Sequence, residues 1–344
     1  MKKETKLTIA FIALSFLIPM FFLELYLRFK GINATYEEQI GLGGYGYPYP
    51  DYIKPENIPV YESGRKTSYD QNEFRYNINA NAAGFNDREW TVTKTKKRIL
   101  CLGDSFTEGR GAVGDSSYPH LLQKYLHDSV EVYNAGIAGL DPFWCYSLLQ
   151  NKLQIYNPDI IILSINNSDI TDYISRGGFP GLEMAKNNIH RKPPMWSKVY
   201  SKYYTLRYAM HNVMHYNTML LRPTEQKRMD EEANKKLMAC ADSFAVYGAK
   251  NNIDVYFLFQ VMNREMIEKK IDCAATLEYC KAQGYNTIDL MDYFLKKGFK
   301  DNKEIAWPID GHYNNKGYKL MAKSVAESIA AKNQKAEITR IVTK

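Results

Sequence analysis

The sequence predicts an α/β fold: a three-layer α/β/α sandwich around a central, mostly parallel sheet. An N-terminal transmembrane helix precedes it and a helical insertion interrupts it. Three observations predict this. From about residue 97, short apolar runs alternate with segments of helical periodicity, the pattern of strands joined by crossover helices. The run Pro158-Asp-Ile-Ile-Ile-Leu-Ser-Ile165 is apolar at nearly every position, as in a strand covered by helices on both faces. Leu7 to Leu27 is an apolar stretch holding one acid, Glu24, and its roughly 20 residues match a membrane span.

The first segment, 1–30, is expected to be an uncleaved anchor. A secretory signal has an apolar core of about 7–15 residues that ends at small residues. Here the stretch is longer and ends in Phe21, Phe22, Leu23, Leu25, Tyr26 and Leu27. Lys2, Lys3 and Lys6 precede it, and Arg28 and Lys30 follow. This small bias predicts the N-terminus inside the cell and the bulk of the chain outside the cytoplasm. Pro19 is tolerated in a membrane helix.

Residues 31–95 are rich in Tyr, Pro, Gly and Asn and are expected to form an irregular collar or linker. Gly41-Leu-Gly-Gly-Tyr-Gly46 fits the spacing GxGxxG, but no strand precedes it and Tyr-Pro-Tyr-Pro follows where a helix should open. It therefore reads as a loop. A short alternating strand is expected within Tyr76 to Phe85.

The main domain is expected over 96–332. Ile99 to Leu102, Val130 to Tyr133, Pro158 to Ile165, Ile253 to Phe259 and Thr287 to Leu290 are its strands. Helices are expected at Tyr118 to His127, with Leu121, Leu122, Tyr125 and Leu126 on one face, at Pro142 to Tyr156, and from Asn314 to Lys332. The third and fourth strands are separated by far more chain than a crossover needs. A helical insertion is expected at about 175–250, with helices near 197–220 and 224–251. The aromatics of the first (Tyr200, Tyr203, Tyr204, Tyr208, Tyr216) read as packing residues, with a lid over a site as the alternative. Residues 333–344 are expected to be a polar tail.

Composition narrows the function. Of 344 residues, 45% are hydrophobic and 24% charged, and the net charge is +7, as in an ordinary globular protein. Basic residues are scattered apart from Lys94-Thr-Lys-Lys-Arg98, and no helix carries a basic stripe. Nucleic acid is not an expected partner. The five cysteines include no CxxC, so no zinc site is indicated. Cys273 and Cys280 are too far apart along a helix to pair.

The segment Arg98 to Gly109, RILCLGDSFTEG, ends an apolar strand on a serine. Gly103 could simply turn the chain and Asp104 cap a helix. Alternatively Ser105 is a nucleophile, which requires a base within hydrogen-bond reach and a third group to orient that base. Six histidines are available. His120 and His127 lie on or beside the next helix, and His190 lies in a basic, Pro-rich loop. His211 and His215 have i,i+4 spacing without the glutamate of HExxH, and read as ordinary helix residues. His312 remains, in Trp307-Pro-Ile-Asp-Gly-His-Tyr-Asn-Asn-Lys-Gly317. Asp310 can face its imidazole if Gly311 turns tightly. Oxyanion donors are expected in the loops after the second and third strands: Gly139, closing NAGIAG, and Asn166 or Asn167, of which only one can point into the site from an extended strand.

With Gly103-Asp104-Ser105, Gly139, the Asn166–Asn167 pair and Asp310/His312 in this order, the chain resembles the SGNH hydrolases, also called GDSL esterases and lipases. The resemblance runs from about Arg98 to the final helix. Asn81 to Trp90 also resembles membrane-tethered bacterial members. The third block reads Ile165-Asn-Asn-Ser-Asp169, with Asn167 the chosen donor and Asn166 and Ser168 as rivals. The last block is DxH where DxxH is commoner. The resemblance implies the SGNH, flavodoxin-like, sandwich and catalysis by Ser105 and His312, with Asp310 orienting the imidazole and Ser105 N–H, Gly139 N–H and Asn167 holding the oxyanion. Asp104 is then a turn residue. No cofactor and no metal are implied. The expected function is a membrane-anchored, extracytoplasmic serine esterase cleaving acyl esters, in the first instance acetyl, of surface carbohydrate or lipid-like substrates. An O-acyltransferase acting on an extracellular glycan and a non-catalytic carbohydrate-binding protein are the alternatives.

Overall fold

The computed structural model describes residues 3–31, 60–70, 72–127, 130–178, 196–217 and 220–342. The GxGxxG segment and His190 lie outside the described residues. In chain order the helices are α1 (Lys3–Lys30), α2 (Ser105–Glu108), α3 (Tyr118–Leu126), α4 (Pro142–Leu148), α5 (Ser168–Arg176), α6 (Ser197–Tyr200), α7 (Tyr204–Tyr208), α8 (Pro223–Asn251), α9 (Asn263–Glu268), α10 (Ala274–Ala282), α11 (Leu290–Lys296) and α12 (Asn315–Val342). The strands are β1 (Lys66–Asp70), β2 (Arg75–Asn79), β3 (Lys97–Gly103), β4 (Val130–Gly136), β5 (Ile160–Ile165), β6 (Asp254–Phe259) and β7 (Asn286–Asp289).

The five strands β3 to β7 form one parallel sheet in the order β4-β3-β5-β6-β7. Leu100, Cys101 and Leu102 of β3 and Ile161, Ile162 and Leu163 of β5 are fully buried, as continuous apolar strands at the centre of such a sheet must be. Cys101 stands opposite Asn134 on one side and Ile162 on the other. The chain moves outward from β3 to β4, then back across β3 to β5 and onward. Right-handed crossovers therefore place helices on both faces. Accordingly α12 packs along α3, while α8 packs against α4, α5 and α10. The reversal falls between β3 and β5, and in this topology ligands bind at the carboxyl ends of the strands flanking that point.

Two expected helices are interrupted. The segment after Pro142 stays helical but widens into a π-helical turn at Leu149–Leu153. The helix expected over 197–220 is broken into α6, α7 and a π-helical turn at Ala209–Val213. The physical reason is Arg207, whose buried guanidinium donates to the carbonyls of Tyr200 and Ser201. Those carbonyls are thus satisfied by a side chain, and α6 stops there. Helices α5, α9 and α11 fall where the sequence reading placed none.

The collar from residue 60 is more ordered than expected. β1 and β2 form an antiparallel hairpin, with Lys66 opposite Asn79 and Asp70 opposite Arg75. Beyond it, Phe85 is buried in the main core, and Trp90 stacks between Phe85 and Tyr133 at ring-centroid distances of 4.7 and 4.8 Å. Asp87 Oδ2 accepts from Asn134 N on β4 at 2.8 Å and from Trp90 Nε1 at 2.7 Å.

Among the described residues, one helix is long and apolar enough to cross a membrane: Phe11–Lys30 of α1, with a mean hydropathy of 1.7. Its C-terminal end is tied to the insertion. Glu24 accepts from the backbone N–H groups of Tyr204 and Thr205 at 3.0 and 2.8 Å, capping α7, and Arg28 donates to the Lys202 carbonyl at 2.9 Å. All five cysteines are buried and free.

Candidate active site

β3 ends where it meets its neighbours most closely. A Cβ on Gly103 would lie 2.3 Å from Thr107 Oγ1 and 2.9 Å from Ser164 Cβ, so only glycine lets the chain turn back over β5 here. Asp104 then caps α2, its Oδ1 accepting from Phe106 N at 3.0 Å, which satisfies a backbone donor of the first turn. Ser105 is the first residue of this four-residue helix and is half-buried.

The other half of the site is the loop entering α12. It is closed by Trp307 N donating to His312 O at 2.8 Å and Gly311 N donating to Trp307 O at 2.9 Å. Gly311 has φ +85°, a left-handed conformation that costs glycine little. The turn brings Asp310 back onto its neighbour: His312 Nδ1 is 2.5 Å from Asp310 Oδ1. Ser105 Oγ is 2.7 Å from His312 Nε2, although 207 positions separate them. Phe106 stacks on the imidazole with a centroid distance of 4.5 Å and limits its rotation. With Asp310 on Nδ1, the neutral tautomer carries its proton there and leaves Nε2 free to accept the serine proton.

Asp310 is held ionised. Burial alone would raise its pKa, but the hydrogen bond from His312 and the charges of His312 and Arg110 bring it down to about 2. Arg110 Nη2 donates to Asp310 Oδ2 at 2.9 Å. Sequence reasoning missed Arg110. Its signal was adjacency, since it directly follows the GDSFTEG run.

The expected oxyanion donors are placed unequally. Gly139 is exposed in the turn after β4. The preceding residue is fixed by a buried carboxylate, with Ala138 N donating to Glu108 Oε2 at 2.9 Å. Asn166 is buried, and its Nδ2 donates to Asp104 Oδ2 at 2.8 Å, next to Ser105. The remaining contact of that Nδ2 is long, 3.4 Å to Gln260 Oε1. Asn166 Oδ1 accepts from Ser168 N and Oγ at 2.8 and 2.7 Å, which spends the Ser168 hydroxyl. Asn167 lines a different cavity of about 700 Å³ with Ile170, Thr171, Asp230 and Asn234; neither Ser105 nor His312 lines it. The structure brings Asn166 to the Gly-Asp-Ser turn and does not bring Asn167 there. Successive residues leaving a strand point to opposite sides, and Asn166 takes the side of Asp104.

Asp104 and Asp169 are buried. Desolvation raises the pKa of both, and for Asp169 the charge of Asp104 adds to it. Glu108 is raised by burial as well, against the hydrogen bonds of Tyr61, Tyr76 and Ala138 N–H. Two of the remaining histidines have other partners. His211 bonds to the Tyr200 hydroxyl at 2.6 Å and the Tyr216 carbonyl at 2.8 Å. His120 bonds to Ser117 Oγ at 3.0 Å.

The chain matches the family model described as GDSL-like lipase/acylhydrolase over residues 99–325. No curated protein matches it in sequence. Among solved structures it is similar to an acetyl xylan esterase (17% identity, 67% of this chain and 99% of that one, TM-score 0.42). It is also similar to a lipolytic G-D-S-L family protein from Veillonella parvula (14% identity, 67% and 97%, TM-score 0.42). A third is a two-domain esterase active on acetylated mannans (14% identity, 69% and 49%, TM-score 0.39). A parallel α/β sheet with a Gly-Asp-Ser turn at one end, matched by that model over most of the chain, leaves one assignment: this protein belongs to the GDSL-like lipase/acylhydrolase family and is a hydrolase of the SGNH type.

Proposed function

We propose that the protein is a serine esterase anchored in a membrane by α1, with its catalytic domain outside the cytoplasm, cleaving short acyl esters of surface carbohydrate or lipid-like molecules. The observation that carries this reading is the chain Ser105 Oγ, His312 Nε2, His312 Nδ1, Asp310, joined at 2.7 and 2.5 Å. Ser105 attacks the ester carbonyl while His312 accepts its proton. Asp310 holds the tautomer and stabilises the imidazolium that forms. The oxyanion is held by the N–H groups of Ser105 and Gly139 and by the Asn166 carboxamide, which replaces Asn167 in this role because of its bond to Asp104. His312 then returns the proton to the leaving alcohol, and water resolves the acyl-enzyme.

The full chain in detergent should hydrolyse a short-chain aryl ester, and Ser105→Ala should lower kcat by about 10⁶-fold, since members of such a unit fail together. A Ser105→Ala variant as active as the wild type would sink the reading. Topology is tested separately: a reporter fused after Lys344 should register outside the cytoplasm. Transfer of the acyl group to a glycan, rather than to water, would be seen as acylated acceptor exceeding free acid.

A further inference from the structure

The segment from residue 60 to the end of β2 precedes the sheet, yet it reaches both halves of the site. On one side, Glu73 in the β1–β2 turn accepts from the backbone N–H groups of Ile309, at 3.0 Å, and Asp310, at 2.7 Å. Phe74 packs on Trp307 of the same loop with a centroid distance of 5.4 Å. On the other side, the hydroxyls of Tyr61 and Tyr76 both donate to Glu108, Tyr61 at 2.6 Å. The same carboxylate accepts from Ala138 N, one residue before Gly139. Glu108 is 1% exposed, and among the described residues its carboxylate bonds to two phenols and one peptide N–H. Nothing in the mechanism above uses Glu73 or Glu108.

We propose that the β1–β2 hairpin is a positioning element of the active site, acting through two carboxylates: Glu73 sets the Asp310 loop, and Glu108, gripped by Tyr61 and Tyr76, sets the Ala138–Gly139 peptide. This rests on the esterase reading and extends it to residues outside the segment matched by the family model. The physical argument concerns rigidity. Gly139 lies in an exposed turn closed by Leu140 N on Ile137 O at 3.0 Å, and Asp310 in a loop closed by Gly311 N on Trp307 O at 2.9 Å; the two carboxylates tie these short loops to the rest of the fold. An oxyanion donor must already be aimed where charge develops, and misplacement by about 1 Å can cost on the order of 100-fold in rate. A carboxylate accepting a peptide N–H fixes the direction of that peptide, and the hairpin fixes the carboxylate. Neither carboxylate bonds to Ser105 or to the His312 ring, so each is expected to alter the rate of the chemical step and leave ground-state binding alone.

The test uses the full chain in detergent with a short-chain aryl acetate. Glu73→Ala and Glu108→Gln should each lower kcat by about 10- to 100-fold with KM within about threefold. Glu73→Gln should recover most of the loss, because Glu73 Oε2 alone accepts from both Ile309 N and Asp310 N and one amide oxygen can replace it, whereas Glu108 accepts through both of its oxygens and an amide cannot. Inhibition by phenylboronic acid, which forms a tetrahedral adduct on Ser105, should weaken in step with kcat. Should Glu108→Gln fail to fold, Tyr76→Phe, which removes one hydroxyl, should show the same split at smaller size. Losses lying wholly in KM, or kcat values unchanged in Glu73→Ala and in the Glu108→Gln or Tyr76→Phe variant, overturn the proposal while wild-type activity and Ser105→Ala still support the esterase. An inert wild type, or an active Ser105→Ala, overturns the esterase and this proposal with it.

Discussion

Arg110 Nη2 lies 2.9 Å from Asp310 Oδ2, the carboxylate oxygen that His312 leaves free. The acid thus sits between the His312 imidazole and a cation that helps keep it ionised. Arg110→Met removes that cation. Loss of a positive charge beside the pair favours the imidazolium, so the acid limb of kcat/KM should move to higher pH. A pH–rate profile checks this, and an unmoved limb would show that Arg110 serves packing alone.

Asp310→Asn keeps the shape of the loop but presents an amide to His312 Nδ1. The wrong tautomer then predominates, and kcat should fall by about 10⁴-fold. In the wild type, Asp310 titrates at about 2. Its carboxylate therefore persists as pH falls through 5, so activity lost in that range should not arise from protonation of Asp310. The measurement is kcat/KM between pH 4 and 8 for both proteins.

Asn166→Ala and Asn167→Ala separate two neighbouring residues. The first removes the proposed oxyanion donor and should cost about 10²–10³-fold in kcat. It also strips Asp104 of a buried partner, which should cost about 1–3 kcal/mol of stability. Asn167→Ala should change kcat less than threefold, on the order of an ordinary surface substitution. Equal effects of the two on kcat would return Asn167 to the site.

Stability should depend on pH in two opposite ways. Asp104, Asp169 and Glu108 have raised pKa values in the native protein, so folding takes up protons and stability falls as pH rises from the ordinary carboxylate range toward their native values. Asp310 is lowered to about 2. Its contribution is present above the unfolded pKa and is lost as pH falls toward 2. From these groups, melting temperature should be highest near the ordinary carboxylate range, about pH 4, and fall as pH rises from there. A melting temperature rising steadily to pH 8 would contradict the burial of those three acids.

Glu24 caps α7 from the anchor helix. Glu24→Ala removes that cap, worth about 1 kcal/mol, and should speed tryptic cleavage at the exposed Lys202. Limited proteolysis of the full chain in detergent measures it.

Much of the site was legible because its signals are local. Gly-Asp-Ser at the end of an apolar strand and Asp-Gly-His before an amphipathic helix can each be read without knowing the other, and the five strands show in uninterrupted runs such as Ile160–Ile165. The hairpin was not legible in this way. Only a short alternating strand within Tyr76 to Phe85 was expected, and β2 lies at Arg75–Asn79. Glu108 carries no local signal of its role, because nothing near it in the chain says that two tyrosines 32 and 47 positions earlier will cover it. Arg207 likewise gave no sign that it would end α6.

The sequence by itself determined the kind of fold, since apolar periodicity is a property of neighbouring residues. It also singled out Ser105 and His312 as the candidate pair, because strand-end turns need particular residue types. Only the tertiary structure decided which asparagine faces Asp104, which cation meets Asp310, and that the collar reaches the site. Those choices depend on how strand ends and loops distant in the chain are brought within hydrogen-bonding range, and that is fixed by packing across the sheet.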